Sequence, residues 1–176
     1  MTGSDYIEFE KAMFVANRLI KAKSQSKRVK GLYIVFQINL GLRIGDILSL
    51  KWGDVKNDRL SLKEQKTGKK VDRKINKYIK EAIELYGEGE ENEYIFLSQK
   101  GGVYSRQAIN RFLQDQWSIS SHGLRKSFGR YVYEANGKNE DVLIKLSEIF
   151  NHSNIKVTKR YLGIRQTEID NIFDAM

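Results

Sequence analysis

Apolar and polar residues alternate along a single doubled-back stretch of this chain. Arg59-Leu60-Ser61-Leu62-Lys63-Glu64 runs out, Lys66-Thr67-Gly68-Lys69 turns, and Lys70 to Ile75 returns. An alternating period of two around a Gly-containing turn is the signature of an antiparallel hairpin. Elsewhere the apolar residues recur at the three- and four-residue intervals of helices. These two periods predict a mainly α (α+β) fold, helical with a small antiparallel β-sheet or hairpin in its first half.

Phe9, Met13, Ala16 and Ile20 place an amphipathic helix over roughly 7–23. A mostly apolar helix is expected over 30–40, ending near Gly41, and a short one from Ile44 that stops around Trp52-Gly53. Asn76 is placed to cap a helix over 77–86, Ser105 one over 106–116, and Ser121 one over 122–135 that ends at Gly137. Tyr94 to Leu97 reads as a short strand. Helices over 140–150, 155–162 and 167–175 complete the set, with a polar turn Asn151-His152-Ser153-Asn154 after the first of these.

With 176 residues, no repeat and no proline-marked linker, the chain is expected to form one domain over 1–176. The absence of cysteine excludes disulfides, thiolate catalysis and cysteine-ligated zinc. No apolar run approaches the ~20 residues of a membrane span, so a cytoplasmic protein with no membrane partner is expected. The net charge of +9 is uneven: residues 1–80 hold 19 basic and 8 acidic groups, whereas residues 81–100 hold 1 and 6. A basic half facing a polyanion accounts for this, because Lys and Arg displace counterions from phosphates. A lysine-rich solvated surface accounts for the same charge.

Few residues stand out as chemical. The two histidines, His122 and His152, both lie beside polar features, and His122 precedes Arg125 by one helical turn. Neither has further ligands at metal spacing, so no zinc site is expected. Arg43 lies between apolar segments at a helix start. An arginine held near the core needs an anionic partner, and Asp46, one turn on, is the candidate to orient it. Its guanidinium would then be free to take a phosphate through two parallel hydrogen bonds. Lys66 marks the hairpin tip. Tyr161 is one of nine tyrosines, yet Lys159-Arg160 precede it and Gly163 follows. A phenol with a pKa of about 10 needs cations or a base before it can attack at neutral pH.

The ordered set resembles the tyrosine recombinase (phage integrase) family, over nearly the whole chain as that family's catalytic domain. Gly41-Leu42-Arg43-Ile44-Gly45-Asp46-Ile47-Leu48 is similar to the family's first-arginine box, and Glu64-Gln65-Lys66-Thr67-Gly68 to its hairpin lysine. His122-Gly123-Leu124-Arg125 matches the His-x-x-Arg box. Asn151-His152-Ser153-Asn154, with Thr158 and then Tyr161-Leu162, resembles the last box, His and Tyr standing nine residues apart. Phe150-Asn151 stands where the family usually has Leu-Gly, and Gly123 replaces a common Asp. The family usually carries a core-binding domain ahead of this one. Only about 40 residues precede Arg43, so that domain is expected to be absent.

The resemblance implies site-specific recombination of double-stranded DNA, for integration or excision, through a 3′-phosphotyrosine intermediate. It assigns attack to Tyr161, phosphate stabilisation to Arg43, Arg125 and His152, and protonation of the leaving 5′-oxygen to Lys66. His122 is the proton acceptor it favours for Tyr161, with His152 as the other choice; Asp46 is a supporting residue. Neither cofactor nor metal is implied, and the covalent link dispenses with ATP. The expected setting is a bacterial, phage or mobile-element protein at the nucleoid, assembling as a dimer or tetramer on DNA. Residues 167–176, with Ile169, Ile172, Phe173 and Met176 on one face, would dock either on their own domain or on a neighbouring protomer. The competing readings are a non-catalytic DNA-binding module of the same fold and a topoisomerase IB-like nicking-closing enzyme.

Overall fold

A computed structural model describes residues 6–164 and 172–176. Its centre is α2 (Gln25–Leu40), which follows α1 (Phe9–Ile20). In α2 the residues from Leu32 to Ile38 are all buried. A helix apolar on nearly every face has to be surrounded, and α2 is packed by α1, α4 (Lys77–Tyr86) and α6 (Ser121–Ala135). The helix begins five residues earlier than its apolar run suggested, because Ser24 stands at the N-terminal boundary of a polar first turn.

At its other end α2 stops at Gly41, whose φ of 59° lies in the left-handed region. A Cβ there would run into the ring of Phe128 on α6, so a glycine lets the chain turn tightly against that helix. This corner delivers α3 (Ile44–Leu48) with Arg43 at its N-terminal boundary. A single 3-10 turn (Trp52–Asp54) leads into the sheet.

The sheet has three antiparallel strands in the order β1 (Val55–Lys56), β2 (Arg59–Lys63) and β3 (Lys70–Lys74). Leu60 faces Arg73 and Leu62 faces Val71 across the hairpin, as the alternation required. β1 adds a third strand that the sequence reading lacked; two residues are too few to show a period. The strand expected at Tyr94 to Leu97 is reduced to isolated bridges, Lys51 with Tyr94 and Leu97 with Val103.

The capping residues Asn76 and Ser105 act as expected, accepting from the Ile79 and Ala108 amides at the starts of α4 and α5 (Arg106–Trp117). Ser121 does not cap. It is the first residue of α6, and its amide is accepted by Asn110 of α5 at 2.9 Å, a cap supplied from another helix. Asn139 and Asn154 cap α7 (Glu140–Phe150) and α8 (Ile155–Leu162). The helix expected over 167–175 falls largely outside the described residues; within them, Ile172, Phe173 and Met176 are exposed.

Among the described residues, buried apolar side chains form two clusters. The larger spans α1 to the start of α6, ending with Leu124. The smaller holds Phe128, Leu146, Phe150, Leu162 and their neighbours from α6, α7 and α8. The seam crosses α6 between Leu124 and Phe128, and Arg125 lies on it.

Candidate active site

The seam is where the candidate residues meet. Arg43, Asp46, Lys66, His122 and Arg125 line one cavity of about 470 Å³, together with Gln37, Gln65 and Arg106. Arg43 and Lys66 come from the larger core and its hairpin, His122 and Arg125 from α6. His152 and Tyr161 stand beside this cavity on the smaller core. The Tyr161 hydroxyl donates to the backbone carbonyl of His122 at 3.2 Å. The Tyr161 ring meets both Phe150 and His152 edge-on, each with centroids 5.3 Å apart.

The carbonyl end of α7 organises the arginines. Arg43 Nη2 and Arg125 Nη2 both donate to the Phe150 carbonyl, and Arg73 Nη2 donates to that of Ile149 at 3.2 Å. Terminal carbonyls lack partners within their own helix and carry its negative dipole end, so they suit cations. Arg125 also lies 4.9 Å above the Phe150 ring. Burial lowers its pKa to about 10, the nearby Tyr161 opposes that, and Arg43 adds to it. At neutral pH it stays charged.

Arg43 is oriented by Glu64 rather than by Asp46. Arg43 Nη1 donates to Glu64 Oε1 at 3.1 Å, and Glu64 Oε2 accepts from Thr67 Oγ1 at 2.6 Å. Asp46 Oδ1 instead accepts from the Gln65 amide at 2.8 Å, and its Oδ2 has no hydrogen-bond partner among the described residues. The expectation failed because the anion nearest in sequence lies on α3, turned toward the hairpin tip. The two buried carboxylates share a task all the same: both hold residues of the turn that carries Lys66. Lys69 closes that turn onto the other core, its Nζ 2.6 Å from Asn151 Oδ1.

Gln37 is a second residue that the sequence did not single out. Its side chain is buried; Nε2 reaches the carbonyls of Leu42 and Ser121, each at 3.2 Å, and Oε1 accepts from Tyr33. Leu42 precedes Arg43 and Ser121 precedes His122, so one amide sets the spacing of two site residues. Nothing in the α2 sequence marks this glutamine beyond its being polar within an apolar run.

Burial pushes the Tyr161 phenol up to about 12, against the lowering pull of Arg125 and Arg43. The hydroxyl is therefore protonated, its hydrogen on a carbonyl that cannot accept it outright. His122 and His152 are both held below the ordinary imidazole range, first by burial and then by Arg125 and Arg43. Both rings are neutral at pH 7, the state in which an imidazole can take a proton. His152 Nδ1 lies 3.0 Å from Thr158 Oγ1, which is fully buried, so the ring is oriented.

A cationic cavity at the seam of two cores, with a phenol at its edge, invites comparison with known proteins. The family model described as the phage integrase family matches residues 9–168. The chain belongs to the phage integrase family. It is also 38% identical to the probable integrase/recombinase YoeC of Bacillus subtilis (strain 168) over 150 residues, 80% of each chain. Solved structures share the fold at lower identity. The chain matches XerA recombinase over 97% of its length with a TM-score of 0.68 and 17% identity, covering 65% of that chain. It matches the XerH site-specific recombinase bound to a palindromic difH substrate, a post-cleavage complex, over 97% of its length at 20% identity, with a TM-score of 0.65 and 54% of that chain covered. Against a lambda integrase dimer bound to a COC' core site, 92% of this chain and 49% of that one are covered, at 17% identity and a TM-score of 0.63. The chain thus spans about half to two-thirds of the length of these solved chains.

Proposed function

We propose that this chain cleaves and rejoins double-stranded DNA in site-specific recombination, with Tyr161 as nucleophile. The observation that carries the reading is the gathering of Arg43, Lys66, His122 and Arg125 around one cavity, with the Tyr161 hydroxyl 3.2 Å from the His122 carbonyl beside it. Family membership and the kinship with an integrase/recombinase support it.

In the proposed reaction Tyr161 Oη attacks the scissile phosphorus. A bond forms between Oη and phosphorus while the bond to the 5′-oxygen breaks, leaving a 3′-phosphotyrosine and a free 5′-hydroxyl. The Tyr161 proton passes to a neutral imidazole, that of His122 or His152, and Lys66 protonates the leaving oxygen. Arg43, Arg125 and His152 meet the charge that builds on the non-bridging oxygens. Attack by the 5′-hydroxyl of a second strand reverses these steps. The diester bond energy is kept in the tyrosine link, so no nucleotide is consumed.

The partners proposed are duplex DNA and further copies of the chain, as a dimer or tetramer around paired sites, with residues 167–176 docking in trans. Several solved structures of similar fold are complexes with DNA, and lambda integrase is seen as a dimer on a core site. No helix among the described residues is long and apolar enough to cross a membrane. A cytoplasmic, nucleoid-associated location is proposed on that basis together with the family.

The test is trapping on a pool of nicked suicide duplexes of randomised sequence. The wild-type chain should become covalently attached to DNA and Tyr161→Phe should not. A trap that survives in Tyr161→Phe would move the nucleophile elsewhere. DNA binding without any trap would favour the binding module, and relaxation of a supercoiled plasmid lacking paired sites would favour the nicking-closing enzyme.

A further inference from the structure

Arg106 lines the same cavity as Arg43, Lys66 and Arg125, yet it comes from the first turn of α5 and belongs to none of the boxes that define the site. Its guanidinium lies over Gly45 of α3. A Cβ added to Gly45 would sit 2.5 Å from Arg106 Nη2, so any larger residue at 45 would displace the guanidinium from this position. Nη2 also donates to Gln65 Oε1 at 3.2 Å, and Gln65 Nε2 reaches the Gly45 carbonyl at 3.3 Å. Among the described residues the hydrogen-bond partner of Arg106 is thus a neutral amide, whereas Arg43 has the carboxylate of Glu64. A guanidinium has five donors, and one bond to Gln65 leaves most of them for a ligand.

Arg43 and Arg125 occupy the Phe150 side of the cavity, and Arg106 the Gly45–Gln65 side. At about 470 Å³ the cavity is far larger than one phosphate requires. From this placement we infer that Arg106 is a DNA-contacting residue of the site, taking a backbone phosphate adjacent to the scissile one. Through Gln65, whose amide is held by Asp46, the same contact bears on the turn that presents Lys66. Engagement of the neighbouring phosphate therefore settles the hairpin tip over the bond to be cut. The inference rests on the proposed DNA-cleaving function.

The test is binding of an arbitrary 20-base-pair duplex as a function of salt, in a Tyr161→Phe background so that cleavage plays no part. Phosphate contacts are sequence-independent, and each contributes about 0.9 to the slope of log K against log salt. Arg106→Gln should lower that slope by about 0.9 and weaken binding several-fold, and Arg106→Lys should restore the slope. In a 15N spectrum the Arg106 Nε–H signal, assigned by its loss in Arg106→Lys, should shift on adding duplex. An unchanged slope in Arg106→Gln, or an Arg106 signal indifferent to DNA, would overturn the inference. Neither readout depends on strand cleavage, so failure of wild-type protein to form a covalent complex would count against the proposed reaction and leave this test standing.

Discussion

Arg43 and Arg125 share one acceptor, the Phe150 carbonyl, at 3.3 and 3.0 Å. Two guanidiniums converge there because the end of α7 is a concentrated negative dipole and Glu64 is within reach of Arg43. Each keeps donors to spare for a phosphate. The geometry of both forks therefore depends on one peptide group.

Lysine cannot reproduce this sharing. It keeps the charge but lacks the planar fork that holds the carbonyl and a phosphate together. Arg43→Lys and Arg125→Lys are each expected to slow covalent trapping by about 10²–10³-fold in single-turnover assays, the loss typical of one preorganised donor. Duplex affinity should fall much less. Equal losses in affinity and rate would show that these arginines hold DNA without acting on the reacting phosphate.

The depressed histidines fix the pH response. With His122 and His152 below the ordinary value of about 6.5, the proposed proton acceptor is already neutral at pH 7. Trapping measured at sub-saturating DNA should be flat from about pH 7 to 9 and fall on an acid limb with its midpoint below about 6.5. Were the buried Tyr161 phenol, at about 12, to ionise without help, the rate would climb throughout that range instead. Stability follows the same sign. A folded-state pKa below the unfolded one gives stability that is present above about pH 6.5 and lost as pH falls through the folded value. The melting temperature should decline below pH 6.5, and less so in a His122→Gln/His152→Gln variant.

Gln37→Leu keeps the size of the side chain and removes its polar end. The buried carbonyls of Leu42 and Ser121 then lose a donor and Tyr33 its acceptor. Urea denaturation should show a loss of about 1–3 kcal/mol. Trapping should drop at least tenfold under conditions where the variant remains folded, because Arg43 and His122 are no longer spaced by a common amide. A variant that is destabilised yet cleaves normally would reduce Gln37 to a core residue.

Gly129 on α6 packs against Leu162 of α8 and Phe150 of α7. A Cβ there would lie 2.6 Å from Leu162 Cδ2 and 2.8 Å from Phe150 Cζ. Alanine gains about 1 kcal/mol of helix propensity over glycine, but overpacking costs about 1–3 kcal/mol. Contacts this short decide for the second term, so Gly129→Ala should be destabilising overall. Leu162 adjoins Tyr161, so trapping should fall more than the melting temperature suggests.

Much of this was legible in the sequence, and what was not shares a physical cause. Asn76 and Ser105 marked helix starts because the cap and the capped amide are three residues apart. The start of α6 was misjudged because its first amide is held by Asn110, eleven residues away on another helix. The site divides in the same way. The resemblance to the integrase family pointed to Arg43, Lys66, His122, Arg125, His152 and Tyr161, of which four line one cavity and the other two stand beside it. Their partners were not visible. Glu64 displaced Asp46 on Arg43, and Gln37, Arg73 and Arg106 are set by how α2, β3 and α5 pack.

The seam between the two hydrophobic clusters carries one further consequence. Tyr161 and His152 ride on the smaller cluster, while Arg43 and Lys66 belong to the larger and its hairpin. Parts of a fold can open at lower free energy than the whole molecule unfolds. Loosening of α7 and α8 alone would withdraw Tyr161, the proposed nucleophile, and leave the cations of the hairpin side in position. If the proposed reaction holds, grip and cutting would be separable in this chain, and it would be safe on DNA until something outside it presses the smaller half home.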